Sequence, residues 1–145
     1  MSHARRFAPS IADRSRSCYT LRTGASMKVR DIVTTLEGVL VTGDDQQDLD
    51  VQAACGADLM SDVMAFVKDR VVLLTGLVNP QVIRTADLMD IKVVVFVRGK
   101  SPSKDMIEEA RSNGMVLIHT KYSMFLSCGR LYEAGLRLGS MRAAD

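Results

Sequence analysis

The stretch Arg70-Val71-Val72-Leu73-Leu74-Thr75-Gly76-Leu77-Val78-Asn79-Pro80 decides the fold. Its first half is a run of valine and leucine, apolar at consecutive positions and of strand length, as a strand buried on both faces should be. Gly76 breaks the run. Asn79 is placed to cap a helix, and Pro80 suits the first helical position, where a missing N–H costs nothing. An amphipathic stretch to Met89 follows. Working outward, the unit repeats. Ile91–Val97 is an apolar strand, followed by Arg98-Gly99-Lys100 and a helix from Ser103 to Ser112 that Asn113-Gly114 closes. Met115–His119 is a third strand, and a helix runs from about Lys121–Ser123 to Glu133 or Ala134. Strand–helix alternation with short connections predicts an α/β fold of three layers, with a mainly parallel sheet built from repeated strand–helix units.

Upstream, Val29, Ile32, Val33 and Leu36 recur at helical spacing, so Lys28–Leu36 is read as a short helix that Gly38 ends. Val39–Thr42 is a short strand, and Gly43–Asp48 a polar turn. Leu49, Val51 and Ala53 alternate with polar Asp50 and Gln52, the pattern of one half-buried strand. Asp58 is the expected N-cap of a helix over Leu59–Val67, whose apolar face is Leu59, Val63, Phe66 and Val67. The expected domain therefore covers residues 27–137, with a short helix and two short strands ahead of the repeated units. Residues 1–26 read as a basic, disordered leader and residues 138–145 as a C-terminal tail.

The chain has 145 residues, one domain on size alone, and its 47% hydrophobic and 25% charged residues exclude global disorder. No apolar run approaches the roughly 20 residues of a membrane span. Residues 1–26 hold five Arg and one Asp and contribute +4 to a net charge of +2, which leaves −2 for residues 27–145. The folded part thus offers no general attraction for nucleic acid. The leader lacks the apolar core of a secretory signal. Three cysteines, Cys18, Cys55 and Cys128, are too few for a disulfide framework and point to a reducing, cytoplasmic setting.

Ligands of open α/β sheets bind outside the carboxyl ends of the strands. The residues that follow the three strands are therefore the candidates: Thr75, Gly76, Asn79 and Arg84 after the first, Arg98 and Lys100 after the second, and His119, Thr120 and Lys121 after the third. Cations, hydroxyls, a permissive glycine and a helix N-terminus suit a phosphate or a nucleotide. No Gly-x-x-x-x-Gly-Lys-Ser/Thr loop is present, so phosphoryl transfer has no support, and there is no dinucleotide fingerprint or other cofactor motif. Cys128 with His119 is a remote candidate for thiol chemistry, since Cys128 lies past the strongest field of its helix. A metal site would need about four ligands, more than these cysteines and His119 supply. Asp58 and Asp62 share a helical face and read as capping and solvated groups.

Several strings resemble the DRTGG domain family: Gly56-Ala57-Asp58-Leu59-Met60-Ser61-Asp62-Val63, Leu74-Thr75-Gly76-Leu77-Val78-Asn79-Pro80-Gln81-Val82-Ile83-Arg84-Thr85-Ala86, Val95-Phe96-Val97-Arg98-Gly99-Lys100 and Cys128-Gly129-Arg130-Leu131-Tyr132. A weaker match at Lys28–Val41 extends the likeness over about residues 28–137. The family's five letters denote scattered residues, of which Thr75-Gly76 can be placed here. The resemblance implies a regulatory domain of the kind found beside CBS pairs, in phosphotransacetylases and, in similar form, at the N-terminus of HPr kinase. The kinase half of that enzyme has no counterpart in this chain. The variant with these strings resembles small stand-alone proteins encoded beside iron hydrogenases. The expectations are a non-catalytic sensor, a homo-oligomer, that binds a nucleotide or phosphorylated metabolite. The alternative is an interaction module that assists a redox enzyme such as an iron hydrogenase.

Overall fold

The strands Val71–Thr75, Val93–Phe96 and Val116–His119 form where the three apolar runs place them. The computed structural model describes residues 26–66 and 69–139. The elements are β1 (Met27–Lys28), α1 (Val29–Thr35), β2 (Val39–Thr42), a 3-10 turn (Asp44–Gln46), β3 (Asp50–Val51), β4 (Ala53–Gly56), α2 (Met60–Met64), β5 (Val71–Thr75), α3 (Pro80–Leu88), β6 (Val93–Phe96), α4 (Lys104–Ser112), β7 (Val116–His119) and α5 (Met124–Glu133). The main sheet has the order β2-β7-β6-β5-β4. β4 to β7 run parallel, in registers such as Val72 opposite Val93 and Val93 opposite Val116. β2 closes one edge antiparallel to β7, with a bulge between Leu40 and Thr42. β1 and β3 form a separate antiparallel pair.

The four parallel strands follow one another across the sheet in chain order, so connections of constant hand place their helices on one face. There, Val71, Leu73, Val94, Phe96 and Leu117 pack against α2, α3 and α4 through Val63, Ile83, Met106 and Ala110. The opposite face, with Val72, Leu74, Val95 and Ile118, is covered by α1 and α5 through Ile32 and Leu131. The result is the expected three-layer α/β arrangement with a mainly parallel sheet.

Two local readings are corrected. The alternating run Leu49–Ala53 is not one strand: β3 pairs with β1, and β4 joins the main sheet. Val51 and Ala53 are both buried, but on opposite faces, because the chain turns over at Gln52, whose N–H bonds to Arg70 O at 2.8 Å. The second correction is α2, which spans Met60–Met64 and is capped by Leu59 without a side-chain bond. Asp58 is engaged elsewhere, as described below, and Val67 lies outside the described residues. The expected leader over residues 1–26 also falls almost wholly outside them.

Four helices end in the same way, with a left-handed residue and paired backward bonds onto the last turn. In α4 and α5 that residue is Gly114 (φ 67°) or Gly135 (φ 120°); in α1 and α3 it is Glu37 (φ 47°) or Asp90 (φ 58°). A side chain is strained in that region, and the Asp90–Lys92 pair at 3.5 Å involves a carboxylate whose side chain is 88% exposed, so it adds little. Asp90→Gly is expected to raise unfolding stability by about 0.5–1 kcal/mol, after the greater freedom of glycine in the unfolded chain is offset. Equilibrium denaturation with an unchanged slope checks it; a loss of stability would contradict the assignment.

Candidate ligand site at the carboxyl ends of the strands

β5 ends in Thr75, fully buried, which turns its hydroxyl along the chain rather than outward. The hydroxyl donates to Asp58 Oδ1 at 3.3 Å and accepts from Leu77 N at 3.1 Å. Gly76 N–H donates to the same Asp58 oxygen at 2.7 Å. Beyond the turn, the Asn79 side chain accepts from Gln81 N at 2.8 Å, and Pro80 opens α3, the capping read from the sequence. β7 ends in the same manner. Buried Thr120 donates to Leu36 O at 2.7 Å and accepts from Tyr122 N at 3.2 Å. Both threonine hydroxyls therefore fix loops.

Between them stands the loop after β6. Arg98 (φ 63°) and Gly99 (φ 71°) are both left-handed, and Lys100 N–H bonds to Val97 O at 3.3 Å, which makes a type I′ turn. Arginine is a poor residue for that position, at a cost of about 1–2 kcal/mol. The turn is held by Arg98 N–H to Tyr122 O at 2.7 Å and Gly99 N–H to Thr120 O at 2.9 Å. These bonds zip the loop after β6 to the loop after β7, although one leads to α4 and the other to α5 on the opposite face. The turn aims the Arg98 side chain back across β5. Its guanidinium lies over Gly76, where a Cβ would stand only 2.0 Å from Nη2, and 3.6 Å from Asp58 Oδ2. The Arg98 and Asp58 side chains are 50% and 55% exposed, so this ion pair faces water.

The strand ends thus bring Thr75, Gly76 and Arg98 together around Asp58. Lys100 and Lys121 are exposed on the two zipped loops. His119 is half-buried at the end of β7, in register with Phe96 and Val39. Asn79 is exposed. Arg84 leans toward α4, where it pairs with Glu109 at 3.9 Å. Sequence reasoning missed Asp58, read as a helix cap, because its partners lie 17 and 18 residues away. It also missed Tyr122, whose hydroxyl donates to the Glu37 carboxylate while Arg130 lies 4.5 Å over its ring. The hydrogen bond to Glu37 pushes the Tyr122 pKa up.

Cys128 packs beside Gly56 at the end of β4, with its sulfur 3.8 Å from Met124 Sδ. Burial pushes the Cys128 thiol up, and that of Cys55 as well, so neither is favoured as a thiolate. β7, which carries His119, lies three strand spacings from β4, roughly 14 Å at about 4.8 Å each. The structure does not bring Cys128 and His119 together. Among the described residues there is no cluster of three or more His, Cys, Asp or Glu placed to hold a metal, and no helix long and apolar enough to cross a membrane. A cavity of about 260 Å³ lies at the opposite, amino end of the strands, lined by Asp50, Arg70, Asp90 and Lys92 among others. Two of its carboxylates already pair with lysines, Asp50 with Lys28 at 3.1 Å and Asp90 with Lys92.

No family model and no curated protein matches the chain. A solved structure does: the CBS and DRTGG domains of the regulatory region of Clostridium perfringens pyrophosphatase, complexed with its activator, diadenosine tetraphosphate. The identity is 14% and the TM-score 0.61; the match covers 82% of this chain and 56% of that one. At such identity the likeness concerns the fold alone, and this chain spans little more than half of its neighbour. The likeness to the DRTGG family read from the sequence is thus joined by a likeness of fold to a region that contains a DRTGG domain.

Proposed function

We propose that the protein is a non-catalytic regulatory domain that binds a small anionic ligand, a nucleotide or phosphorylated metabolite, at the carboxyl ends of β5, β6 and β7. The observation that carries this reading is Arg98. A charged residue is kept in a left-handed turn with its guanidinium laid over a glycine and half open to water. Backbone strain of this kind persists where the surroundings over-determine it, and it concentrates at ligand sites. Lys100 and Lys121 add positive charge on the adjoining loops. That a regulatory region of similar fold is complexed with a nucleotide activator supports the ligand class.

The test is a thermal-shift and calorimetric titration of the full chain with ATP, diadenosine tetraphosphate, acetyl phosphate and sugar phosphates. A ligand at 100 times its dissociation constant stabilises by about 2.7 kcal/mol, a shift of roughly 10 °C for a domain of this size. Arg98→Ala is expected to weaken binding about tenfold or more while the protein stays folded. The alternative, an interaction module, draws its support from Phe125, which stands 88% exposed on α5. A flat response to every compound in a cooperatively folded protein decides for that alternative.

A further inference from the structure

The seat over β5 already holds an anion, and that anion belongs to the protein. The Asp58 carboxylate accepts from a backbone N–H (Gly76, 2.7 Å) and a hydroxyl (Thr75, 3.3 Å), and lies 3.6 Å from a guanidinium. That is the donor set with which proteins hold phosphates and free carboxylates. We propose that Asp58 is an internal stand-in for the ligand: an anionic group of the ligand takes its place against Gly76 and Arg98, and the released Asp58 moves to the start of α2. This rests on the reading of the site given above and adds the regulation of that site.

Three features make the exchange physically reasonable. The contact to Arg98 is an ion pair beyond hydrogen-bond range, so the paired donors of the guanidinium are not consumed by Asp58. A phosphate group can take the Gly76 N–H with one oxygen and the Arg98 fork with others, which one carboxylate does not do here. Both charged side chains are about half exposed, so the existing pair faces solvent and is weakly held, above a turn in which Thr75 and Gly76 are buried. The released carboxylate has a place to go. The N-cap of α2 is Leu59, in extended conformation and without a side-chain bond; Asp58 stands one position before it and becomes the N-cap, as a preferred capping type, when Leu59 joins the first turn. Asp58 therefore has two mutually exclusive partners, the β5–α3 turn and the first turn of α2. A ligand that binds only the vacated seat shifts the balance between them and carries a penalty for the fraction of molecules in which Asp58 occupies it.

ATP titrations of the full chain test this. Asp58→Asn keeps an oxygen for the Gly76 N–H but loses the charge that competes for Arg98, and is expected to bind ATP about tenfold more tightly than the unmodified protein. Asp62→Asn removes the same charge from the neighbouring exposed position and is expected to change affinity less than twofold. In the unmodified protein, saturating ATP is expected to slow amide exchange in Met60–Met64. Equal gains from the Asp58 and Asp62 substitutions would mean a general charge effect and overturn the proposal. So would unchanged or weaker binding by Asp58→Asn, or, should that variant not fold, unchanged exchange in α2. In each of these cases the site itself stands. Absence of ATP binding by both the unmodified protein and Asp58→Asn, with both folded, overturns this proposal, and a flat response to all the other compounds named above as well overturns the site reading with it.

Discussion

Gly76→Val is expected to weaken ligand binding by roughly ten- to a hundredfold and leave the fold intact. An added Cβ would stand 2.0 Å from Arg98 Nη2, 2.8 Å from Cζ and 2.9 Å from Nε. All three are atoms at the far end of one long, half-exposed side chain, so the guanidinium is the group that gives way. The backbone of Gly76 is outside the left-handed region, so a side chain there brings no conformational strain. Its N–H can still donate to Asp58. The substitution therefore removes the cation from the seat without deleting it from the protein, and the branched side chain fills the space that the ligand would occupy. Loss of a charged hydrogen bond, worth about 1.5–3 kcal/mol, gives the stated range. Gly129→Ala is the control. It sits on α5 with open space around the new Cβ, and should leave binding unchanged while stabilising the helix by up to about 1 kcal/mol. Titration of both variants, with unfolding curves for each, checks the prediction. Full affinity in a folded Gly76→Val would remove Arg98 from the site.

The sequence spoke most clearly where structure is decided locally. β5, β6 and β7 are buried on both faces, so their apolar runs are continuous and recognisable without knowledge of their neighbours. Asn79, Ser103 and Ser123 each cap the helix that follows them, since a short polar side chain satisfies N–H groups two or three residues on. What the sequence hid depends on distant partners. Val51 and Ala53 carry the alternation of one strand, yet the chain turns over between them because Gln52 and Ala53 both bond to Arg70 O. Asp58 reads as a cap by every local rule, and loses that role to Gly76 N–H, which it meets only after β5 is in place. The candidate site was legible in the same proportion. Thr75, Gly76 and Arg98 follow strands and could be found by topology. Arg84 also follows a strand, but its pairing with Glu109 depends on how α3 meets α4. That the hydroxyls of Thr75 and Thr120 are taken up by Asp58 and Leu36 O on one side and by the N–H groups of Leu77 and Tyr122 on the other could not be read from spacing at all.

Thr42→Val tests the one antiparallel joint of the main sheet and is expected to destabilise the protein by about 2–4 kcal/mol. Thr42 is 3% exposed, and on burial alone valine, nearly the same shape and more apolar, should do better. Hydrogen bonding reverses the sign. The pairing of β2 with β7 is irregular between Leu40 and Thr42, and there the hydroxyl substitutes for the backbone ladder: it donates to Met115 O at 2.8 Å and accepts from Leu117 N at 3.0 Å. Valine has the shape without the donor or the acceptor. A buried carbonyl and a buried N–H are then left unpaired, at about 1–3 kcal/mol each, which exceeds any gain from an extra methyl group. Water cannot easily compensate, since Met115, Val116 and Leu117 are almost fully enclosed. Thr42→Ser keeps both bonds and loses only a methyl group, so the expected order of stability is unmodified protein, then Thr42→Ser, then Thr42→Val. Denaturant midpoints at constant slope give the order directly. If Thr42→Val proves as stable as the unmodified protein, the bulge is held by packing rather than by the hydroxyl, and β2 can shift register to pair Leu117 by itself. The consequence extends to the sheet edge: a loosened β2 exposes β7, whose Leu117 and Ile118 are otherwise covered, and a bare apolar edge strand invites association.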